Sequence, residues 1–357
     1  MTKKYISLIV FALIISLTAV AQAPKYSNEF LNIGVGARAL GMSNSYITSA
    51  NDVTAGYWNP AGLSNIGNQH QVALMHSEHF EGIAKYDYGA YATRLDSSSV
   101  LGLTVIRFGV DDIPNTTELI NANGNIDYNR ITKFSATDFA FIVSYAKTLK
   151  IPGLRLGANA KVIRRKIGVF AGSWGFGIDA GAQYDYKKWK FAAMARDVTS
   201  TFNAWTFNLS NETKDVFAAT GNELPENSVE VTLPKLLLGG ARKFDFSPKI
   251  SLLAELNLDA TFDGKRNVLI KSNALSIDPH MGLEASYMDL IFLRAGIGNY
   301  QAYTDVIGKK VKTFQPNIGI GIRIKSVCID YALTDIGDQS VALYSNVFSL
   351  RVDINKK

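Results

Sequence analysis

The chain of 357 residues holds a single cysteine, Cys328, and four histidines, His70, His76, His79 and His280. One cysteine excludes an internal disulfide, so covalent cross-links do not hold the fold. After residue 21 no run approaches the roughly 18 to 20 apolar residues that a membrane helix needs. A concentrated basic patch is also missing, which argues against a nucleic-acid partner. The formal net charge of +6 falls to +4 without Lys3 and Lys4, and beyond the short run Arg164-Arg165-Lys166 the cations are interleaved with acids.

Chemistry is equally sparse. His76, Glu78 and His79 form the one local metal-like cluster, but on a strand His76 and Glu78 share a face while His79 points the other way. Gly34-x-Gly36 followed by Gly41 lacks a third glycine at the required spacing and the βαβ setting of a nucleotide loop. Asn121 to Asp127 is rich in oxygen ligands without the spacing or terminal Glu of a calcium loop. No histidine lies in a nucleophile motif. The expectation is a protein that is not an enzyme, with no catalytic residue, no metal site and no cofactor.

What is present points to the outer membrane. Lys3 and Lys4, the apolar stretch Ile6 to Leu17 and the small-x-small run Ala19-Val20-Ala21 read as a cleaved signal peptide over 1–21. From about residue 69 the apolar period is two. Ile318, Ile320, Ile322 and Ile324 alternate with Gly319, Gly321, Arg323 and Lys325. Fourteen such segments are expected, at 69–77, 84–95, 98–110, 134–149, 153–168, 174–186, 188–198, 233–243, 248–262, 276–287, 289–300, 313–324, 326–337 and 344–355. Many run longer than the usual soluble strand of about 5 to 6 residues and suit a tilted membrane crossing.

Short turns alternate with longer connections around 111–133, 199–232, 263–275, 301–312 and 338–343. That pattern predicts a transmembrane antiparallel β-barrel of 14 strands over 69–357, with short periplasmic turns and longer extracellular loops. Tyr184, Tyr186, Trp189, Phe244, Phe246, Tyr287 and Phe292 are expected as an aromatic girdle at the short-turn end. Arg155, Lys161, Asp179, Asp185, Glu255, Asp259, Arg294, Arg323, Asp330, Arg351 and Asp353 are expected to face the lumen as paired charges.

Residues 22–68 do not alternate. They are rich in Gly, Ala, Ser and Asn, and Leu31, Leu40, Tyr57, Trp58 and Leu63 are costly to leave in water. This segment is expected to fold compactly inside the barrel as a hatch, with Trp58-Asn59-Pro60-Ala61-Gly62 at its centre.

Residues Asn28 to Leu63, with ARALGM and NDVTAGYWNPAGL, resemble the start of the PorV/PorQ proteins of Bacteroidota, and the final NVFSLRVDI resembles their closing strand. Those proteins belong to the FadL-like barrels, which have 14 strands and an amino-terminal hatch with an Asn-Pro-Ala motif. Asn59-Pro60-Ala61 occupies that motif here, although Gly41-Met42-Ser43 stands where the family often has Gly-Met-Gly. The resemblance implies an outer-membrane component of type IX protein secretion that binds secreted proteins or other secretion components. Phe202, Trp205, Phe207 and Phe217, in the connection 199–232, are the candidate partner-binding aromatics. The alternative is a FadL-like transporter of hydrophobic small molecules, because one fold serves both functions.

Overall fold

The computed structural model describes residues 27–119, 125–304, 307–336 and 344–355, so the expected signal peptide lies outside the described residues. Seventeen strands are found among them: β1 His70–His79, β2 Ala84–Arg94, β3 Ser99–Asn115, β4 Thr132–Thr148, β5 Leu154–Ile167, β6 Ala171–Tyr186, β7 Trp189–Arg196, β8 Thr201–Phe207, β9 Ser228–Thr232, β10 Lys235–Ser247, β11 Ile250–Thr261, β12 Ile270–Lys271, β13 Ser276–Tyr287, β14 Ile291–Thr304, β15 Lys310–Ile324, β16 Val327–Thr334 and β17 Ser345–Ile354.

All pairings are antiparallel, and the sheet closes on itself. β1 pairs with β2 on one side, from His70 opposite Thr93, and with β17 on the other, from His70 opposite Ile354. Because β7 pairs directly with β10 and β11 directly with β13, fourteen strands form the wall. The hairpin β8–β9 and the short β12 extend it at one end. Closure leaves no unpaired edge around the wall, which a sheet surrounded by hydrocarbon requires.

Strand parity decides which face each residue takes. Ile318, Ile320, Ile322 and Ile324 are 43–60% exposed, and these outward rows are apolar. Trp174 and Tyr184, both exposed on β6, are ten residues apart. At about 3.3 Å per residue and a tilt of about 40° they bracket roughly 25 Å, the height of a lipid-facing band. At the short-turn end Tyr184, Tyr186, Trp189, Phe244, Phe246 and Tyr287 are exposed as the girdle reading expects. Phe292 is not part of it. Ile291 and Leu293 take the outward positions of β14, so Phe292 turns inward, 6% exposed, with the guanidinium groups of Arg294 and Arg323 each 5.3 Å from its ring.

Each of the fourteen expected wall segments overlaps one wall strand, and the 276–287 bounds coincide with β13. The connection 199–232 departs from expectation, since it holds β8, β9 and a helix, Asn211–Ala219, capped by the Ser210 hydroxyl accepting from the Thr213 amide at 3.1 Å. The cause lies in β6, which is longer than its neighbour β7. It pairs with β7 only over Ala180–Tyr186, and β8 satisfies its remaining edge over Ala171–Phe176.

A closed wall of this kind resists detergent until boiled. Unboiled protein should therefore migrate faster in SDS gels than boiled protein; identical migration would rule out a stable barrel.

Candidate functional site

The segment from Ser27 to Asn68 forms short helical turns, Glu29–Asn32, Ala37–Leu40, Ala55–Trp58 and Pro60–Asn65, instead of strands. It bonds to wall strands all round the barrel. The Val53 amide donates to Gln71 of β1 at 2.5 Å, and Asn159 of β5 donates to the Gly56 carbonyl at 2.9 Å. Gln183 of β6 donates to the carbonyls of Ile47 and Ala50, both at 3.0 Å. The amides of Thr48 and Ser49 donate to the two oxygens of Glu255 on β11, at 2.8 and 3.0 Å. The Ala37 amide donates to Ser349 of β17 at 3.1 Å. A segment that reaches opposite sides of a closed wall lies within it.

Asn59 and its neighbours fit closely against the wall. The Asn59 side chain accepts from the Ala61 amide at 3.2 Å, starting the turn in which Pro60 needs no donor, and its amide nitrogen donates to the Ala182 carbonyl of β6 at 3.1 Å. This close approach depends on glycines in the wall. A Cβ at Gly181 would collide with Asn59, and one at Gly157 with the backbone of Pro60 and Ala61. Trp58 is 3% exposed, donates its indole N–H to the Val35 carbonyl at 2.9 Å, and packs edge-on against Tyr57 and Tyr46. Ala61 is fully buried, and a Cβ at Gly62 would meet the Ala50 carbonyl.

Charges tie the same segment to the opposite wall. Arg351 of β17 pairs with Asp52, and Arg38, 3.9 Å from Asp52, forms a two-pronged contact with Glu284 of β13, both bonds 2.7 Å. Glu284 also accepts from Arg294 of β14 at 2.7 Å, and Arg294 reaches Asp330 of β16 at 2.7 Å. Three arginines thus alternate with three carboxylates along the arc of wall from β13 to β17. Burial pushes the Asp52 carboxyl up, but Arg351, Arg38 and two hydrogen bonds from Thr54 outweigh it and hold it below the usual carboxylate range. Elsewhere Lys161 lies 2.8 Å from Asp179 and 2.5 Å from Asp197, and Arg155 pairs with Asp185.

On the long-loop side of the segment lies an open cavity of about 760 Å³. Its floor is the segment itself, through Ile33, Leu40, Ser43, Asn44, Tyr57 and Trp58. Phe108 and Leu237 add apolar wall, while Arg196, Lys235, Asp259, Asp278 and His280 add charge and hydrogen-bonding capacity. The lining is therefore mixed.

Sequence parity placed the lumen charges well: Arg155, Lys161, Asp179, Glu255, Arg294, Asp330 and Arg351 are all buried, and Asp185, Asp259, Arg323 and Asp353 partly so. Arg38, Asp52, Glu284 and Arg196 were missed. Glu284 was within reach, because it shares the inward phase of Gly282 on β13. The four aromatics of 199–232 do not form one patch. Phe202 is exposed on the outer face in register with Phe176, whereas Trp205 and Phe207 share the other face, where the Trp205 indole donates to Glu230 at 3.0 Å and Arg165 covers its ring. Phe217 is half-buried on the helix. His76 and Glu78 approach to 3.7 Å on one face, with His79 buried on the other, and no group of three metal-ligating side chains occurs among the described residues. Of the oxygen-rich run, Asn121 to Gly124 lie outside the described residues, and Asp127 caps a turn by accepting from the Asn129 amide at 3.1 Å.

No protein-family model matches the sequence, and no curated protein matches it. Solved structures do share its architecture. The CymD monoaromatic hydrocarbon channel superposes with a TM-score of 0.56 at 12% identity, over 91% of this chain and 98% of that one. The P. putida toluene transporter TodX gives 0.53 at 14% identity, over 91% and 99%. A Pseudomonas aeruginosa FadL homologue gives 0.52 at 12%, over 89% and 98%. The fold is the FadL-like outer-membrane barrel.

The charge network has a pH signature. A carboxyl with a lowered folded value stabilises the protein above its free value, about pH 4, and loses that contribution as pH falls through the lowered value. Asp52→Asn should therefore lower the temperature of the gel-mobility shift at pH 7, and the deficit should shrink toward pH 2; a deficit independent of pH would contradict the pairing. Glu284→Leu strands two buried arginines and should cost about 3–5 kcal/mol. Denaturant unfolding checks it.

Proposed function

We propose that this protein is an outer-membrane channel through which a small, largely apolar molecule passes from the long-loop side, with residues 22–68 acting as its hatch. The observation that carries this reading is the 760 Å³ cavity floored by the amino-terminal segment. Its size falls in the range of small-molecule sites, about 300–1,000 Å³. Ile33, Leu40, Trp58, Phe108 and Leu237 offer apolar surface, and the charged groups among them suit a solute that also carries a polar end. The hydrocarbon and toluene channels that share the fold support the same class of cargo.

In this mechanism the solute first settles on the hatch. It then advances when the segment shifts, because beneath the floor Asn59, Pro60 and Ala61 press against the wall at Gly157 and Gly181. No covalent chemistry is involved. The partners are the outer-membrane lipid and the transported molecule, and the signal peptide 1–21 directs export.

A second reading is a PorV/PorQ-type component of type IX secretion. It draws on the likeness of Asn28 to Leu63 and of NVFSLRVDI to that family, and on the charged part of the cavity lining, which suits a protein partner. Deleting the gene separates the two. Loss of uptake of a hydrophobic compound with normal protein export supports the channel; intact uptake with lost surface and secreted proteins supports the secretion role and overturns the channel.

The hatch has its own test. In a Cys328→Ser background, Gly56→Cys with Ser144→Cys of β4 places two Cβ atoms 3.8 Å apart, the usual separation across a disulfide. Oxidation should reduce uptake into proteoliposomes at least tenfold, and a reductant should restore it. Equal uptake with the cross-link in place would mean that the segment does not move.

A further inference from the structure

The outer wall at the short-turn end carries an arginine that no acidic side chain among the described residues neutralises. Arg242 is on the outward face of β10: Leu237 and Ala241 on the opposite face are buried, while Leu238 and Phe244, in phase with Arg242, are exposed. Its guanidinium lies 5.0 Å from the Trp189 ring and 4.9 Å from the Phe244 ring, within the aromatic girdle. The Arg242 Nε is covered from water and has no acceptor. Among the described residues the side chain forms neither an ion pair nor a hydrogen bond, and nearby Asp245 is shared by Lys188 and Lys243 at 3.5 and 3.8 Å. The other outward Arg–Trp pair differs. Arg164, 5.0 Å from Trp174 at the long-loop end, spends its donors on the carbonyls of Arg165 and Ser173, both at 3.0 Å.

Next to Arg242, toward the middle of the band, the wall is indented. Gly240 follows in the outward row between Phe191 and Leu256, and no atom lies within 4 Å of the place its Cβ would occupy. Ala254 stands directly beside Arg242 on β11. The result is a shallow apolar groove that begins at an unpaired cation.

We propose that this is a binding site for one phospholipid of the leaflet that meets the short turns, with its headgroup phosphate on Arg242 and one acyl chain over Gly240. A planar guanidinium held between two rings presents its N–H edge in a fixed plane, which matches phosphate oxygens. Lys187, Lys188 and Lys249, in the adjoining turns, favour an anionic headgroup over a zwitterionic one. The inference rests on the barrel alone and holds whichever cargo the lumen carries.

Native mass spectrometry of the mature protein in a mild non-ionic detergent, titrated with phosphatidylglycerol, tests it. The protein should retain one phosphatidylglycerol under conditions that strip diacylglycerol with the same chains. Arg242→Gln should weaken that first binding event about tenfold, and Arg242→Lys, which keeps the charge without the plane, should weaken it less. Gly240→Leu fills the groove from the lipid side and should also weaken it, which keeps the test alive if the arginine variants fail to fold. Equal retention by the wild type, Arg242→Gln and Gly240→Leu would overturn the site. Displacement of the lipid by excess inorganic phosphate would show that a free anion, not a lipid, is the ligand.

Discussion

Hydrocarbon offers a backbone no hydrogen-bond partner, and every other feature of this molecule follows from how the chain meets that constraint. Closing fourteen strands satisfies the wall, since β1 bonds to β2 and β17 alike. The closed wall then turns alternate side chains outward to lipid and inward to a lumen too wide for those side chains to fill. The amino-terminal segment occupies that space. It brings its own polar backbone with it, so the wall must supply partners, and Gln71, Asn159, Gln183 and Glu255 do so. Where the fit is closest the wall supplies no side chain at all, as Gly157 and Gly181 show.

The chain Arg351, Asp52, Arg38, Glu284, Arg294, Asp330 ties the segment to one arc of the barrel, from β13 to β17. Such a network adds little net stability over an apolar filling, but removing any one member leaves a buried charge unpaired. It therefore fixes a position more than it adds affinity. Held by charge-paired bonds at a few points, over a cavity it floors, the segment suits the hatch role proposed above.

Much of this was legible in the sequence because period-two alternation reports the wall directly. Strand number and the inward set of charges came from parity alone. Parity also explains the error at Phe292, which was grouped with the girdle by its proximity to a turn when its phase on β14 points it inward. The strands β8 and β9 were hidden because they exist to satisfy the far edge of β6, a tertiary cause with no local signal. Asp52 and Arg38 belong to a segment without periodicity, so nothing marked them as partners of Arg351 and Glu284. The cavity was invisible for the same reason: its lining is drawn from many strands and from the segment at once. Only the Asn59-Pro60-Ala61 stretch stood out in the sequence, and it is one of several points, with Met42 at Gly296 and Thr48 at Gly239, where the segment lies close against wall glycines.

The wall alone would be a wide pore, and the account stands on the segment being what closes it. Planar-bilayer conductance tests this most directly, comparing the mature protein with a form lacking residues 27–66 that still shows the gel-mobility shift of a folded barrel. The account predicts a closed or briefly flickering wild type and a large, steady conductance for the shortened form. A wild type that already conducts as a wide pore, or a folded shortened form that stays closed, would contradict it.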